Sequence, residues 1–258
     1  MNNPKISVII PAYNEEKYIE QAVNSVLSQS IKDFEIIIIN DCSTDKTKEI
    51  IDNLSKKDSR VKPIHHKINK GRCGAVNTGI DNAKAEYISF LDADDFMIQN
   101  RLKQESEFLD NNPEIDMVYG DLVVLYEDGN LARKTAIKFK KNPKEILIES
   151  SKRDNIDSMT PAQLLDPDKS KPGFIPGGSV MLRKKVFEKV KLDENLKNSE
   201  DYDLWLQIIG AGFKLKKLDL DCFIYRLHGT NKSSNKEKMK IAAKYIIEKL
   251  KRGEYFKD

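Results

Sequence analysis

Apolar positions in the first hundred residues alternate between two spacings. Ile6-Ser7-Val8-Ile9-Ile10 is a short β-branched run ended by Pro11, which predicts a buried strand. Ile19, Ala22, Val23, Val26 and Leu27 then recur at helical spacing and give one apolar helix face. Residues 34–39 predict a second buried strand, and Ile50, Ile51 and Leu54 a second helix. A short strand follows at 61–64. Ala75, Val76, Gly79, Ile80 and Ala83 line a third helix, and residues 87–91 predict a fourth strand. Strands apolar throughout, separated by amphipathic helices, indicate parallel βαβ units covered on both faces.

The second half has a different texture. Residues 116–126 and 131–139 flank Glu127-Asp128-Gly129-Asn130, a hairpin signature. Five of the nine prolines lie between 143 and 176, predicting loops and short helices. A strand is expected at 177–182. Tyr202, Trp205, Leu206 and Ile209 mark a helix with Ser199 as its N-cap. Met239, Ala242, Ala243, Ile246, Ile247 and Leu250 give a terminal helix an apolar face among lysines.

Composition narrows the class. The 258 residues are 39% apolar and 33% charged, which suits a folded domain and not a disordered chain. Net charge is only +3, from 44 Lys+Arg against 41 Asp+Glu, which argues against a dedicated nucleic-acid binder. The charge is uneven: residues 214–258 carry +7, leaving −4 on the rest. Cys42, Cys73 and Cys222 are odd in number, far apart and without C-x-x-C spacing, so neither a disulfide framework nor a zinc site is expected. With no apolar leader at the N-terminus and no run of about 20 apolar residues, a soluble cytoplasmic location is expected.

In parallel sheets ligands bind at the carboxyl ends of the strands, here residues 11–15, 40–45, 69–72 and 92–95. G-x-G-x-x-G and P-loop motifs are absent, removing the main support for a dinucleotide oxidoreductase or a P-loop NTPase. Asp92-Ala93-Asp94-Asp95 puts three carboxylates at a strand end, where they either cap a turn or hold a hard cation. Ser43 or Thr44 is placed to cap the next helix, and Asp41 to accept hydrogen bonds from a base or ribose. Arg72 offers a fork for diphosphate oxygens. Glu200-Asp201-Tyr202-Asp203 opens a helix, whose dipole would lower an Asp pKa and keep a general base ionised. His228 is either a metal ligand or a structural side chain. His65-His66 reads as structural.

Together these segments resemble the family 2 nucleotide-sugar glycosyltransferases. The resemblance rests on Ser7-Val8-Ile9-Ile10-Pro11-Ala12-Tyr13-Asn14-Glu15, on Ser25-Val26-Leu27-Ser28-Gln29-Ser30, on Glu35-Ile36-Ile37-Ile38-Ile39-Asn40-Asp41-Cys42-Ser43-Thr44-Asp45 and on the D-x-D-type Asp92-Ala93-Asp94-Asp95. Weaker matches are Glu200-Asp201-Tyr202-Asp203-Leu204-Trp205 and Tyr225-Arg226-Leu227-His228. Asn40 and Cys42 depart from the family's commonest Asp and Gly. The resemblance implies an α/β, Rossmann-like GT-A fold over 1–258, with a mostly parallel central sheet flanked by helices and a small antiparallel acceptor-side extension. Residues 1–98 would bind the nucleotide-sugar, 99–235 the acceptor, and 236–258 would form the basic helix.

It also implies an inverting transfer from a nucleoside-diphosphate sugar, UDP first, to a hydroxyl of a glycan or lipid-linked acceptor, with Mn²⁺ or Mg²⁺. Pro11, Ala12, Tyr13 and Glu15 would line the nucleotide pocket, Asp41 would face the base, and Arg72 the diphosphate. Asp92, beside Ala93, would contact the ribose. Asp94, with His228, would hold the ion, and Asp201 would be the catalytic base. A sugar nucleotidyltransferase and a non-catalytic nucleotide-sugar-binding protein of the same fold are the alternatives. Residues 139–181 are expected to shape the acceptor site. The basic terminal helix has two readings: its apolar face packs on the domain, or it lies on anionic lipid at the inner face of the cell membrane.

Overall fold

Runs of branched apolar residues bounded by polar turns build the sheet in the order the spacing predicts. The computed structural model describes residues 3–166, 174–229 and 235–256. Strands β1 (Ile6–Ala12), β2 (Phe34–Asn40), β3 (Val61–His65) and β4 (Tyr87–Phe90) pair in parallel in the order β3-β2-β1-β4. Helices α1 (Ile19–Leu27), α2 (Thr47–Lys57) and α3 (Gly71–Asn82) connect them. Strand β1 runs through Pro11 instead of ending there, with Pro11 opposite Ile39. On the β4 side the ladder has already ended at Ile9–Phe90, so no donor is needed at Pro11. Gly79 allows α3 to lie against the sheet: a Cβ there would come within 2.5 Å of Ile9 and 2.8 Å of Ile39.

Alternate residues of β1 and β2 feed two cores. Ile9, Ile37 and Ile39 pack with α3, whereas Ile6, Val8, Ile10, Ile36 and Ile38 pack with α1 and α2. Both faces are therefore covered, as continuous apolar strands require.

Beyond β4 the sheet becomes mixed, with mostly antiparallel pairings. Strand β5 (Phe96–Met97) and helix α4 (Arg101–Asn111) precede β6 (Met117–Leu125), which forms the expected hairpin with β7 (Leu131–Lys134). Gly129 turns that hairpin at φ +84°. Helices α5 (Pro143–Ser151) and α6 (Pro161–Leu165) occupy the proline-rich stretch. Part of the expected acceptor region, 167–173, lies outside the described residues. Strand β8 (Val180–Arg183) is antiparallel to both β4 and β6. Helix α7 (Glu200–Gly210) leads to β9 (Leu215–Arg226), which joins β6 in parallel and β5 antiparallel.

The hydrophobic pattern did not predict β5, α4 or β9. In β9 charged residues interrupt the apolar ones, and its pairing with β6 is broken by register shifts around Asp121.

The terminal helix α8 (Lys236–Lys251) buries Ala242, Ile246, Ile247 and Leu250 against the body, while Met239 and Ile241 stay exposed. Its lysines are not all in solvent: Lys249 is buried. No helix among the described residues is long and apolar enough to cross a membrane.

Candidate functional site

The carboxyl ends of β1, β2 and β4 meet on one edge of the sheet. Pro11 and Ala12 end β1, and the following loop exposes Tyr13 and holds Asn14 at φ +58°. That loop is tied to the one after β2. Asn14 N donates to Ser43 Oγ at 3.0 Å, Thr44 N donates to Asn14 Oδ1 at 2.8 Å, and Glu15 N donates to Thr47 Oγ1 at 2.8 Å. Ser43 and Thr44 thus brace the neighbouring loop and do not cap α2, which begins three residues later. Thr47 N instead donates to Asp45 Oδ1.

Asp41 is buried and its carboxylate is already engaged. Oδ1 accepts from Lys70 N at 2.8 Å and lies 2.7 Å from His66 Nδ1, while Oδ2 accepts from Gly71 N at 2.8 Å. The sequence placed this carboxylate at the ligand edge to accept hydrogen bonds from a base or ribose; in the structure it accepts them from the entry to α3, where Gly71 turns at φ +76°. His65 and His66 are structural as expected, with His65 on Asp52 and His66 on Asp41 and Thr78.

Arg72, one residue further on, reaches across the site. Nε and Nη2 donate to Asp92 Oδ1 at 3.0 and 2.8 Å, and Nη1 donates to Glu200 Oε1 at 3.4 Å. Burial works against its charge, but Asp92 and Glu200 more than offset this and hold the guanidinium firmly protonated. The fork expected for a diphosphate is here a bridge between the acidic loop after β4 and the start of α7.

Ala93 is buried beneath that loop. Asp94 Oδ2 lies 2.9 Å from His228 Nε2, joining residues 134 positions apart. The ring of His228 stacks on Tyr18 with centroids 5.3 Å apart. Arg226 was named only within a motif, yet it organises this corner. Its guanidinium sits over Tyr18 at 4.6 Å and Phe96 at 4.4 Å, and donates to Asp94 O and Gln21 Oε1. Its backbone N–H donates to Asp95 Oδ1. The unforeseen β9 carries Arg226 and leads into His228, so no local signal placed either beside Asp94.

Burial, then Asp92, push the Asp94 carboxyl up, against the pull of His228. Burial, Asp94 and Asp92 push Asp95 well up, and among the described residues the buried Asp95 Oδ2 has no hydrogen-bond partner. His228 and Arg226 offset this crowding of three carboxylates only in part, which suits a divalent cation. The 2.9 Å between Asp94 Oδ2 and His228 Nε2 is about the spacing of neighbouring ligands around an ion with ~2.1 Å bonds. Among the described residues no group of three or more His, Cys, Asp or Glu forms a ready metal cage. A two-ligand set matches Mg²⁺ or Mn²⁺, which keep water and substrate phosphate in the remaining positions.

Asp201 opens α7 facing Gly177, where a Cβ would come within 3.6 Å of Asp201 Oδ2. Its Oδ1 accepts from Tyr202 N at 2.9 Å. The helix start was expected to lower its pKa. Burial and the Glu200 carboxylate instead push it up to about 6, against the pull of Arg72. Desolvation outweighs the helix dipole here. Ser199 holds the N-cap position at φ +56° but makes no side-chain capping bond.

Comparison with known proteins bears on this arrangement. The family model described as glycosyl transferase family 2 matches residues 7–191. An uncharacterized glycosyltransferase of Methanocaldococcus jannaschii is 29% identical over 96% of this chain and 79% of its own. The putative teichuronic acid biosynthesis glycosyltransferase TuaG of Bacillus subtilis is 28% identical over 98% of this chain and 91% of its own. Among solved structures, S. aureus TarS 1-349 in complex with UDP-GlcNAc superposes with a TM-score of 0.64 at 22% identity, covering 90% of this chain and 61% of TarS. The mannosyltransferase PcManGT from Pyrobaculum calidifontis, in complex with GDP-Man and Mn²⁺, gives 0.62 at 16% identity over 91% of this chain and 60% of its own. The fold is therefore the GT-A fold that the resemblance implied, and the chain is a glycosyltransferase that belongs to glycosyl transferase family 2.

Proposed function

We propose that this glycosyltransferase moves a sugar from a nucleoside diphosphate, UDP first, to a hydroxyl of a glycan or lipid-linked acceptor by a single displacement that inverts the anomeric centre. The observation that carries the reading is the Arg72 bridge, because contact with both Asp92 and Glu200 makes the acidic loop and the start of α7 one site. The UDP-GlcNAc bound by TarS and the GDP-Man and Mn²⁺ bound by PcManGT support a nucleotide-sugar donor.

In this reading Pro11, Ala12, Tyr13 and Glu15 line the nucleotide pocket. Asp41 acts on the base side mainly by fixing the Lys70–Gly71 turn, and Asp92 faces the ribose. Asp94 and His228 would hold a Mn²⁺ or Mg²⁺ ion, which when bound would supply Lewis-acid stabilisation of the departing diphosphate. On the other side of the site, Asp201 Oδ2 accepts the acceptor hydroxyl's proton as that oxygen bonds to the anomeric carbon. The bond to the diphosphate breaks in the same step. A carboxyl with a pKa of about 6 is ionised at neutral pH and is a better proton acceptor than an ordinary aspartate. Gly177 leaves open the space beside Oδ2 where the acceptor would sit.

The test is release of free nucleoside diphosphate from a panel of nucleotide-sugars with Mn²⁺ and acceptor glycans. Transfer is expected with at least one UDP-sugar, together with inverted product stereochemistry. Retention of configuration would remove the single-displacement mechanism, and donor binding without any turnover would favour the non-catalytic binder.

A further inference from the structure

Helix α7 carries Asp201 on one side and a second, deeper carboxylate on the other. Residues two apart on a helix point about 200° apart, so Asp201 and Asp203 face opposite ways. Asp203 is fully buried. Its Oδ1 accepts from Lys249 Nζ at 2.6 Å and from the Tyr255 hydroxyl at 2.5 Å, and its Oδ2 from Gln207 Nε2 at 2.7 Å. Lys249 Nζ also reaches Asp193 Oδ2 at 3.2 Å, which Tyr245 OH contacts at 3.0 Å. The segment around Asp193 is in turn pinned to α3 through Asn77, which donates to Leu192 O and Glu194 Oε1. Gly210 closes the far end of α7: a Cβ there would overlap Tyr255 O at 1.7 Å.

A buried ion pair contributes little net stability, because desolvating both charges costs about as much as their attraction returns. It does fix geometry, since an unpaired partner is strongly disfavoured in any other arrangement. We infer that Lys249 is a positioning residue for the transfer: it acts through Asp203 to set the rotation and depth of the first turn of α7, and so the place of Asp201. The terminal helix is then a strap behind the base. This inference rests on the assignment of Asp201 as the base.

The test compares Lys249→Met with the double variant Asp203→Asn/Lys249→Met. Kinetics, melting temperature and hydrogen exchange at the α7 amides are read in the full chain. Lys249→Met is expected to lower kcat by about ten- to a hundredfold, leave the donor KM unchanged, and speed exchange at the first turn of α7. The double variant removes the fully buried Asp203 charge and leaves only the part-exposed Asp193, still held by Tyr245, without its cation, so it should regain melting temperature but not kcat. If kcat returns together with melting temperature, or Lys249→Met keeps full kcat, the positioning role is overturned. Asp201→Asn, measured in parallel, separates the two readings. Full turnover there removes Asp201 from the chemistry, while exchange at α7 still reports whether Lys249 holds the helix. Loosening of α7 with unchanged kcat overturns the inference.

Discussion

The parallel half, β1 to β4 with α1 to α3, and the half built from β6, β8, β9, α7 and α8 share one sheet but are specified differently. In the first half β1, β2 and β3 are each followed by a helix, and the polar residues singled out sit directly after the strand that presents them. In the second half the active groups depend on partners far away in sequence. Asp94 meets His228, Arg72 meets Glu200, and Asp203 meets Lys249. An apolar change in the first half is therefore expected to be felt as fold stability, and a change at one of these long-range contacts as chemistry.

The largest effect expected is at Asp201. Asp201→Asn should reduce transfer by about a thousandfold or more while nucleotide-sugar affinity, measured by calorimetry, stays the same. Near-normal turnover would end the case for this base. The same group fixes the pH dependence. Its carboxyl is raised from 3.8 to about 6, and only the ionised form accepts a proton. The rate should therefore climb about tenfold per pH unit below 6 and level off above it. For stability the sign is opposite. The folded chain holds the proton more tightly than the unfolded one, so Asp201 costs stability as pH rises from about 4 to 6. Asp201→Asn should accordingly melt higher than the parent at pH 7.

Next is His228→Ala, expected to weaken Mn²⁺-dependent donor binding by about tenfold or more and to leave metal-free binding unchanged. Equal affinities with and without Mn²⁺ in parent and variant would dissolve the Asp94–His228 metal pair.

Gly79→Val probes the first half. A Cβ 2.5 Å from Ile9 must push α3 off the sheet, at a cost of about 1–3 kcal/mol in denaturant unfolding. At the donor site only a secondary loss is expected.

The smallest effect is expected at Gly129→Ala. Its surroundings are open within 4 Å, so only the +84° φ resists the change, at about 1 kcal/mol and with no effect on kcat. A kinetic defect there would mean that the β6–β7 hairpin touches the acceptor.

Most of the first half was legible because its signals are local. The β-branched run of residues 6–10, the helix face from Ile19 to Val26 and the acids of residues 92–95 all act within one turn or strand. Asp94 and His228 lie 2.9 Å apart, a closeness that only the family resemblance anticipated. Strand β9 stayed hidden because Lys216, Lys217, Asp219 and Asp221 interrupt its apolar residues. Their charges are answered across the sheet: Lys217 pairs with Asp121, and Arg133 with Asp121 and Asp221. The lysines of α8 look alike in sequence, and nothing local marks Lys249 as the buried one.

By itself the sequence determined the parallel βαβ core and the acidic loop at its carboxyl edge. These follow from side-chain periodicity and turn preference, which neighbours along the chain settle. Only the tertiary structure decided that Asp41 braces a turn, that Arg72 bridges two carboxylates, that Asp201 is raised and not lowered in pKa, and that Lys249 is buried behind it. Each depends on the charges and solvent that distant segments bring or exclude, and electrostatics in a folded chain is set by distance through space.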